Sequence, residues 1–145
     1  IVNVSVLSRN LTVTDRSLIR FRISDTPGRV QGTLRLIQVF LKVLLTTPGS
    51  DIFNRHSGGG ALVNVGETFG ADEGGDIISD FIISVAKTSR QIVARQGRNP
   101  RLPRDERLLS AKVIQAGFNR ELGGIIAAVE LTSQAGRAAI TNLEL

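Results

Sequence analysis

LSAKVIQAGFNRELGGIIAAVELTSQAGRAAITNLEL, residues 109–145, reads as sheet. Leu109, Ala111 and Val113 alternate with Ser110 and Lys112, the two-residue period of a strand with one buried face. Phe118 to Gly124 has the polar and glycine residues of a turn. Ile125 to Leu131 forms the next apolar run, and Gln134-Ala135-Gly136 separates it from Ala138 to Leu145. Short strands joined by such turns predict an antiparallel meander.

Upstream the period changes. Leu34, Ile37, Phe40, Leu41 and Leu44 recur at three-and-four spacing, as on one face of a helix. Leu36, Val39, Val43 and Leu45 widen that stripe past half the circumference, so the helix needs cover on more than one side. Thr46-Thr47-Pro48-Gly49 ends it, because the residue before proline is pushed out of helical geometry. Residues 50–75 are loop-like, with Gly58-Gly59-Gly60 and Gly74-Gly75 at the two ends. Asp76 offers a cap for a second helix to Gln96, outlined by Ile77, Phe81, Ile82, Val85, Ser89, Ile92 and Val93 and stopped by Gly97.

The expected architecture is α+β: two main helices packed on a small C-terminal antiparallel sheet, with an extended N-terminal segment. Val2, Val4 and Val6, then Ile19, Phe21 and Ile23, alternate with polar residues before Thr26-Pro27-Gly28 breaks the chain. Residues 1–31 are therefore an N-terminal arm or hairpin, and 32–145 form the α+β domain.

Composition narrows the chemistry. The 145 residues include no cysteine and one histidine, His56, which excludes disulfides, thiolate metal sites and His/Cys zinc centres. The net charge of +5 comes mostly from arginine, which suits planar pairing with carboxylates at protein interfaces. Without Trp or Tyr, and with 6 Phe, the stacking platforms of single-strand nucleic-acid binders are scarce. No apolar run reaches the roughly 20 residues of a membrane span. The expectation is a soluble, intracellularly made protein with neither nucleic acid nor membrane as partner. Ile1 in place of an initiator methionine is read as the loss of a few preceding residues.

Three features in order resemble the baseplate wedge proteins of contractile tails, the family of phage baseplate assembly protein W and its type VI secretion relatives. The first is Val43-Leu44-Leu45-Thr46-Thr47-Pro48-Gly49, followed by Phe53, Gly58, Gly60 and Leu62. The family has a Leu-Thr-x-x-Gly helix end there, then an aromatic or apolar residue, a short loop and a Gly before Leu. The second is the helix from Asp76 to Gln96. The third is Asp105-Glu106-Arg107 directly before a strand, where the family usually has Glu-Pro-Arg; here Asp105 shortens the acid and Glu106 replaces the proline. The resemblance covers about residues 32–145.

It implies a non-enzymatic structural subunit of a contractile phage tail baseplate, without cofactor. Six copies in a ring, with baseplate wedge proteins and the tail tube as neighbours, would start the tail sheath by β-strand augmentation. The pairing strands would be those of Ile125, Ala127, Val129, Ala139, Thr141 and Leu143, with one flank of the meander open to tail sheath protein. Ala127, Ala128, Ala138 and Ala139 would allow layers to approach closely; a thin core explains them equally. The implied location is the tail baseplate of a virion assembled in host cytoplasm. A type VI secretion baseplate subunit is the first alternative. A soluble regulator of the same fold, monomeric and masking one partner, is the second.

Other residues have two readings each. By resemblance, Asp105 and Arg107 would tie their loop to a partner or to the first helix of the domain; an internal salt bridge that merely holds the loop is the plainer reading. Arg95, Arg98, Arg101, Arg104 and Arg107 recur every third residue, with Pro100 and Pro103 between, which in polyproline II geometry lines guanidinium groups along one edge. A solvated basic linker is the plainer account, and Arg98, Arg101 and Arg104 are the interface candidates, with Leu36, Val39 and Val43 on the first helix. His56 reads as a hydrogen-bonded loop residue. Gly58-Gly59-Gly60 lacks the Lys-Ser/Thr of a phosphate loop, so close backbone packing or flexibility explains it better. Asp72, Glu73 and Asp76 are the densest acids, without the cleft-building aromatics that glycoside hydrolysis needs.

Overall fold

The alternation in the last third of the chain becomes three consecutive antiparallel strands, β3 (Leu108–Asn119), β4 (Gly124–Ser133) and β5 (Ala138–Glu144). The computed structural model describes residues 30–63, 74–119 and 124–145, together with the backbone of two short strands, β1 (Asn3–Leu7) and β2 (Ser17–Leu18). Two helices, α1 (Thr33–Leu45) and α2 (Gly74–Gly97), precede the meander, and a 3-10 turn at Arg104–Glu106 leads into β3. The fold is α+β as the sequence predicts.

Strand order in the sheet is β2-β1-β5-β4-β3, antiparallel at every step. β1 pairs with β2, and runs along β5 from Leu7 opposite Ala138 to Asn3 opposite Asn142. The expected strand residues 19–23 and the break at 26–28 lie outside the described residues.

β4 and β5 keep strict alternation. Ile125, Ala127, Val129, Leu131 and Ser133 face the core from β4, and Ala139, Thr141 and Leu143 do so from β5. The turn between them uses Gly136 at φ 77°, a backbone conformation that suits glycine, with its N–H bonded to the Ser133 carbonyl at 2.9 Å. β3 is less regular. Its register against β4 slips between Leu108 and Ser110 and again between Val113 and Gln115. Each slip switches which parity faces inward. Leu108 is buried, Leu109 is 61% exposed, Ala111 and Val113 pack on the core, Ile114 is 50% exposed, and Ala116 and Phe118 pack inward again. The sequence expectation of Leu109 as an inward residue is thus corrected: the bulge puts Leu108 in its place.

The helices lie on the inward face. α1 buries Thr33, Leu36, Ile37, Phe40, Leu41, Val43 and Leu44. That stripe is turned from the expected one: Leu34 is 53% exposed, while Leu36 and Val43, candidates for contact with another chain, are core residues of this domain. Of the three α1 interface candidates, Val39 alone stays partly exposed, at 39%. α2 buries Ile77, Phe81, Ser84, Val85, Thr88 and Ile92. Ile82 and Val93, expected on that face, sit beside it and are about half exposed. α2 begins two residues before Asp76, which lies in the first turn. Among the described residues no helix is long and apolar enough to cross a membrane.

Candidate functional site

The segment before β3 is bonded to α1, to α2 and to the turn between β4 and β5. α1 starts on Gly32 with no side-chain cap of its own and no acid in its first turn. Helix N-termini leave N–H groups without partners and favour negative charge. Glu106, only 5% exposed, supplies both needs from 74 residues away. Its Oε1 accepts from the Gly32 N–H at 3.1 Å, and its Oε2 pairs with Arg35 Nη1 at 2.9 Å. Gly32 has φ 67°, a backbone conformation that selects glycine, and it packs beside the Asp105 carboxylate.

Three further elements hold the same segment. Gln96, at the end of α2, donates from Nε2 to the Glu106 carbonyl at 2.9 Å and accepts from the Leu108 N–H at 2.8 Å. The turn between β4 and β5 donates from Gln134 N–H to the Arg107 carbonyl and from Ala135 N–H to the Arg104 carbonyl. Arg107 Nε donates to the Leu102 carbonyl at 2.9 Å, and its Nη2 to the carbonyls of Asn99 and Pro100. The motif is thus tied internally to the start of α1. The acid that makes it is Glu106 and not Asp105, because the 3-10 turn carries Glu106 towards Arg35.

The arginine ladder does not form. Polyproline II has no internal hydrogen bonds, whereas residues 95–107 fold through a chain of three-residue turns. These run from Arg98 N–H to Arg95, Asn99 to Gln96, Leu102 to Asn99, Glu106 to Pro103 and Arg107 to Arg104. Arg95 bonds to the Ser57 hydroxyl and Arg107 grips the loop from within, so the five do not share an edge. Arg98, Arg101 and Arg104 are exposed. Arg101 lines a polar cleft of about 410 Å³ with Arg35, Asn99 and Glu106.

The glycine run is a packing device. Gly59 N–H donates to the Val43 carbonyl at 2.7 Å, Ala61 N–H to Leu44, and Gly60 N–H to Thr46, so the loop satisfies carbonyls that the end of α1 leaves over. A Cβ on Gly59 would stand 2.8 Å from the Leu44 backbone and would clash with Thr88 Oγ1; on Gly58 it would clash with the Thr46 carbonyl. Gln91 of α2 clamps the other side, donating to the carbonyls of His56 and Gly58 and accepting from the Gly58 N–H. Of packing and flexibility, packing is what the geometry has. His56 takes part through its backbone. Pro48 lies against Gly60, Gly49 closes the loop through its N–H to the Arg55 carbonyl, and Phe53 at the tip is 99% exposed.

The sheet corrects the expected pairing site. β4 has both sides taken, by β3 and β5, and the β5 flank is covered by β1. An exposed row of backbone N–H and C=O groups is a liability, and β1 removes it there. Ile125, Ala127, Val129, Ala139, Thr141 and Leu143 are buried under the helices, so their side chains cannot select a partner strand. Ala127 and Ala139 belong to this core, which is the thin-core account of the small residues. Asp72, Glu73 and Gly123 lie outside the described residues; Asp76 is exposed.

Gly32, Arg35, Gln91 and Gln96 carry these junctions, and the sequence does not single them out. Their partners lie 10 to 74 residues away or are backbone atoms, and no local spacing marks such contacts. Comparison with protein-family models, with curated proteins and with solved structures gives no match.

Proposed function

We propose that this protein is a structural subunit of a contractile phage tail baseplate, present as a ring of six with wedge proteins, on which tail sheath protein begins to assemble. The sequence resemblance is the ground for the family, and one observation carries the mechanism: β5 offers a straight, unbulged flank whose pairing strand comes from the chain's N-terminal segment. Sheath polypeptide adds to that flank in place of β1. Main-chain hydrogen bonds make the attachment, and outward-facing Ile140 and Asn142, rather than the buried alternate set, read the incoming strand. Exchange of one strand for another keeps the β5 backbone paired before and after assembly, so the flank is protected from indiscriminate aggregation until the sheath arrives.

A cryo-EM reconstruction of the native particle tests this. The expected map has copies of this chain in a ring at the base of the sheath, with a sheath strand beside residues 138–142. A chain found as a soluble monomer with one partner, or with β1 still on β5 and sheath polypeptide elsewhere, overturns it.

A further inference from the structure

The loop after α1 holds two large apolar side chains in water. Phe53 is 99% exposed and Ile52 80%, at the tip of a loop that is otherwise tightly bonded. Asp51 Oδ1 accepts from the N–H groups of Phe53 and Asn54, the Asp51 carbonyl accepts from Asn54, and Ser57 N–H closes onto the Asn54 carbonyl at 2.8 Å. Gly49 N–H and the Arg55 carbonyl join the two sides of the loop at 2.9 Å. The loop's own bonds pre-form the backbone of this knob, so its main chain gives up little conformational freedom on binding.

The same chain has an apolar groove elsewhere. It lies between the first half of α2 and the middle of β3, about 480 Å³, lined by Ile78, Ile82, Val85, Ala86, Val113 and Ile114. The second bulge opens it, since the extra residue Ile114 leaves the ladder and stands exposed at its rim. Lys112 borders it, whereas Asp51, with one carboxylate oxygen not used in the loop's own bonds, borders the knob. The knob is anchored near Gln91 and Arg95, so at 1.5 Å per residue the groove centred on Ile82 is about 15 Å away along α2. One molecule cannot fill its own groove through this rigid loop.

We infer that the Ile52-Phe53 knob of one copy seats in the α2/β3 groove of a second copy, with Asp51 facing Lys112. Two different patches meet, so the contact is head-to-tail, the kind that closes into a ring when its rotation permits. The inference rests on the proposed ring in taking copies of this chain as neighbours, and it is read with the purified chain alone. Failure of self-association leaves sheath recruitment at β5 standing, and failure of sheath recruitment leaves this contact standing.

The test is sedimentation of wild type, Phe53→Ala, Ile82→Glu and an equal mixture of the two variants over a wide concentration range. Both substitutions are at exposed or half-exposed positions, and circular dichroism checks that each variant keeps its fold. Wild type is expected to grow beyond a dimer with concentration, and each variant to weaken self-association at least about tenfold, the effect of losing a buried aromatic anchor. The mixture, which retains one intact knob and one intact groove, is expected to stop at a one-to-one dimer. A wild type that stays monomeric, a Phe53→Ala chain that associates like wild type, or a mixture that gives no dimer overturns the inference.

Discussion

β3 and β5 both pair with β4, yet they finish the meander in different ways. β5 runs in one unbroken register between β4 and β1, and every inward residue follows from the last by two. β3 slips twice, leaving Leu109 and Ile114 outside the ladder. A straight flank can be followed by another strand for its whole length. A bulged one twists away and ends pairing, which is how natural sheets protect an edge that stays unpaired. The regular side is therefore the one suited to strand exchange, and the irregular side to a groove with α2.

Substitutions can break this comparison, and the largest effect belongs to the regular side. Leu143→Ala, at a fully buried β5 position opposite Ala127, is expected to lose about 3 kcal/mol in a denaturant titration. Next comes the start of β3. Glu106→Ala leaves the Gly32 N–H and Arg35 without their carboxylate and is expected to cost about 2 kcal/mol by the same titration. Thr141→Val should act in the opposite direction. Among the described residues its hydroxyl is buried without a hydrogen-bond partner at the centre of β5, so a same-shaped apolar group is expected to gain about 1 kcal/mol, seen as a higher melting temperature. The smallest effect is expected in the first bulge, where Leu109→Ser should stay within about 0.5 kcal/mol. If Leu109→Ser cost as much as Leu143→Ala, the two sides would not differ as described.

The same contrast sets what the sequence made legible. Strands 125–131 and 138–145 could be read because alternation persists where no bulge interrupts it. In β3, Ser110 and Lys112 suggested an inward Leu109, and nothing local marks an inserted residue. The sequence pattern places α1 at 33–45, where the structure has it, but its apolar residues cover so much of the circumference that periodicity does not rank Leu34 against Leu36. The Asp105-Glu106-Arg107 motif was found by resemblance, while the choice of acid depended on a helix end 74 residues upstream. The arginine ladder failed because three-residue spacing also fits successive turns. The cover on β5 is not legible for a related reason: alternation in residues 2–6 marks a strand and does not name its neighbour.

Strand exchange at β5 is tested most directly by locking β1 in place. The chain has no cysteine, so Leu7→Cys with Ala138→Cys, opposite each other in the register, introduces a single reversible bond. Recruitment of tail sheath protein to the oxidised chain, measured by light scattering before and after reduction, is expected to be lost while the bond is closed and restored once it is opened. Equal recruitment by both forms would contradict the exchange.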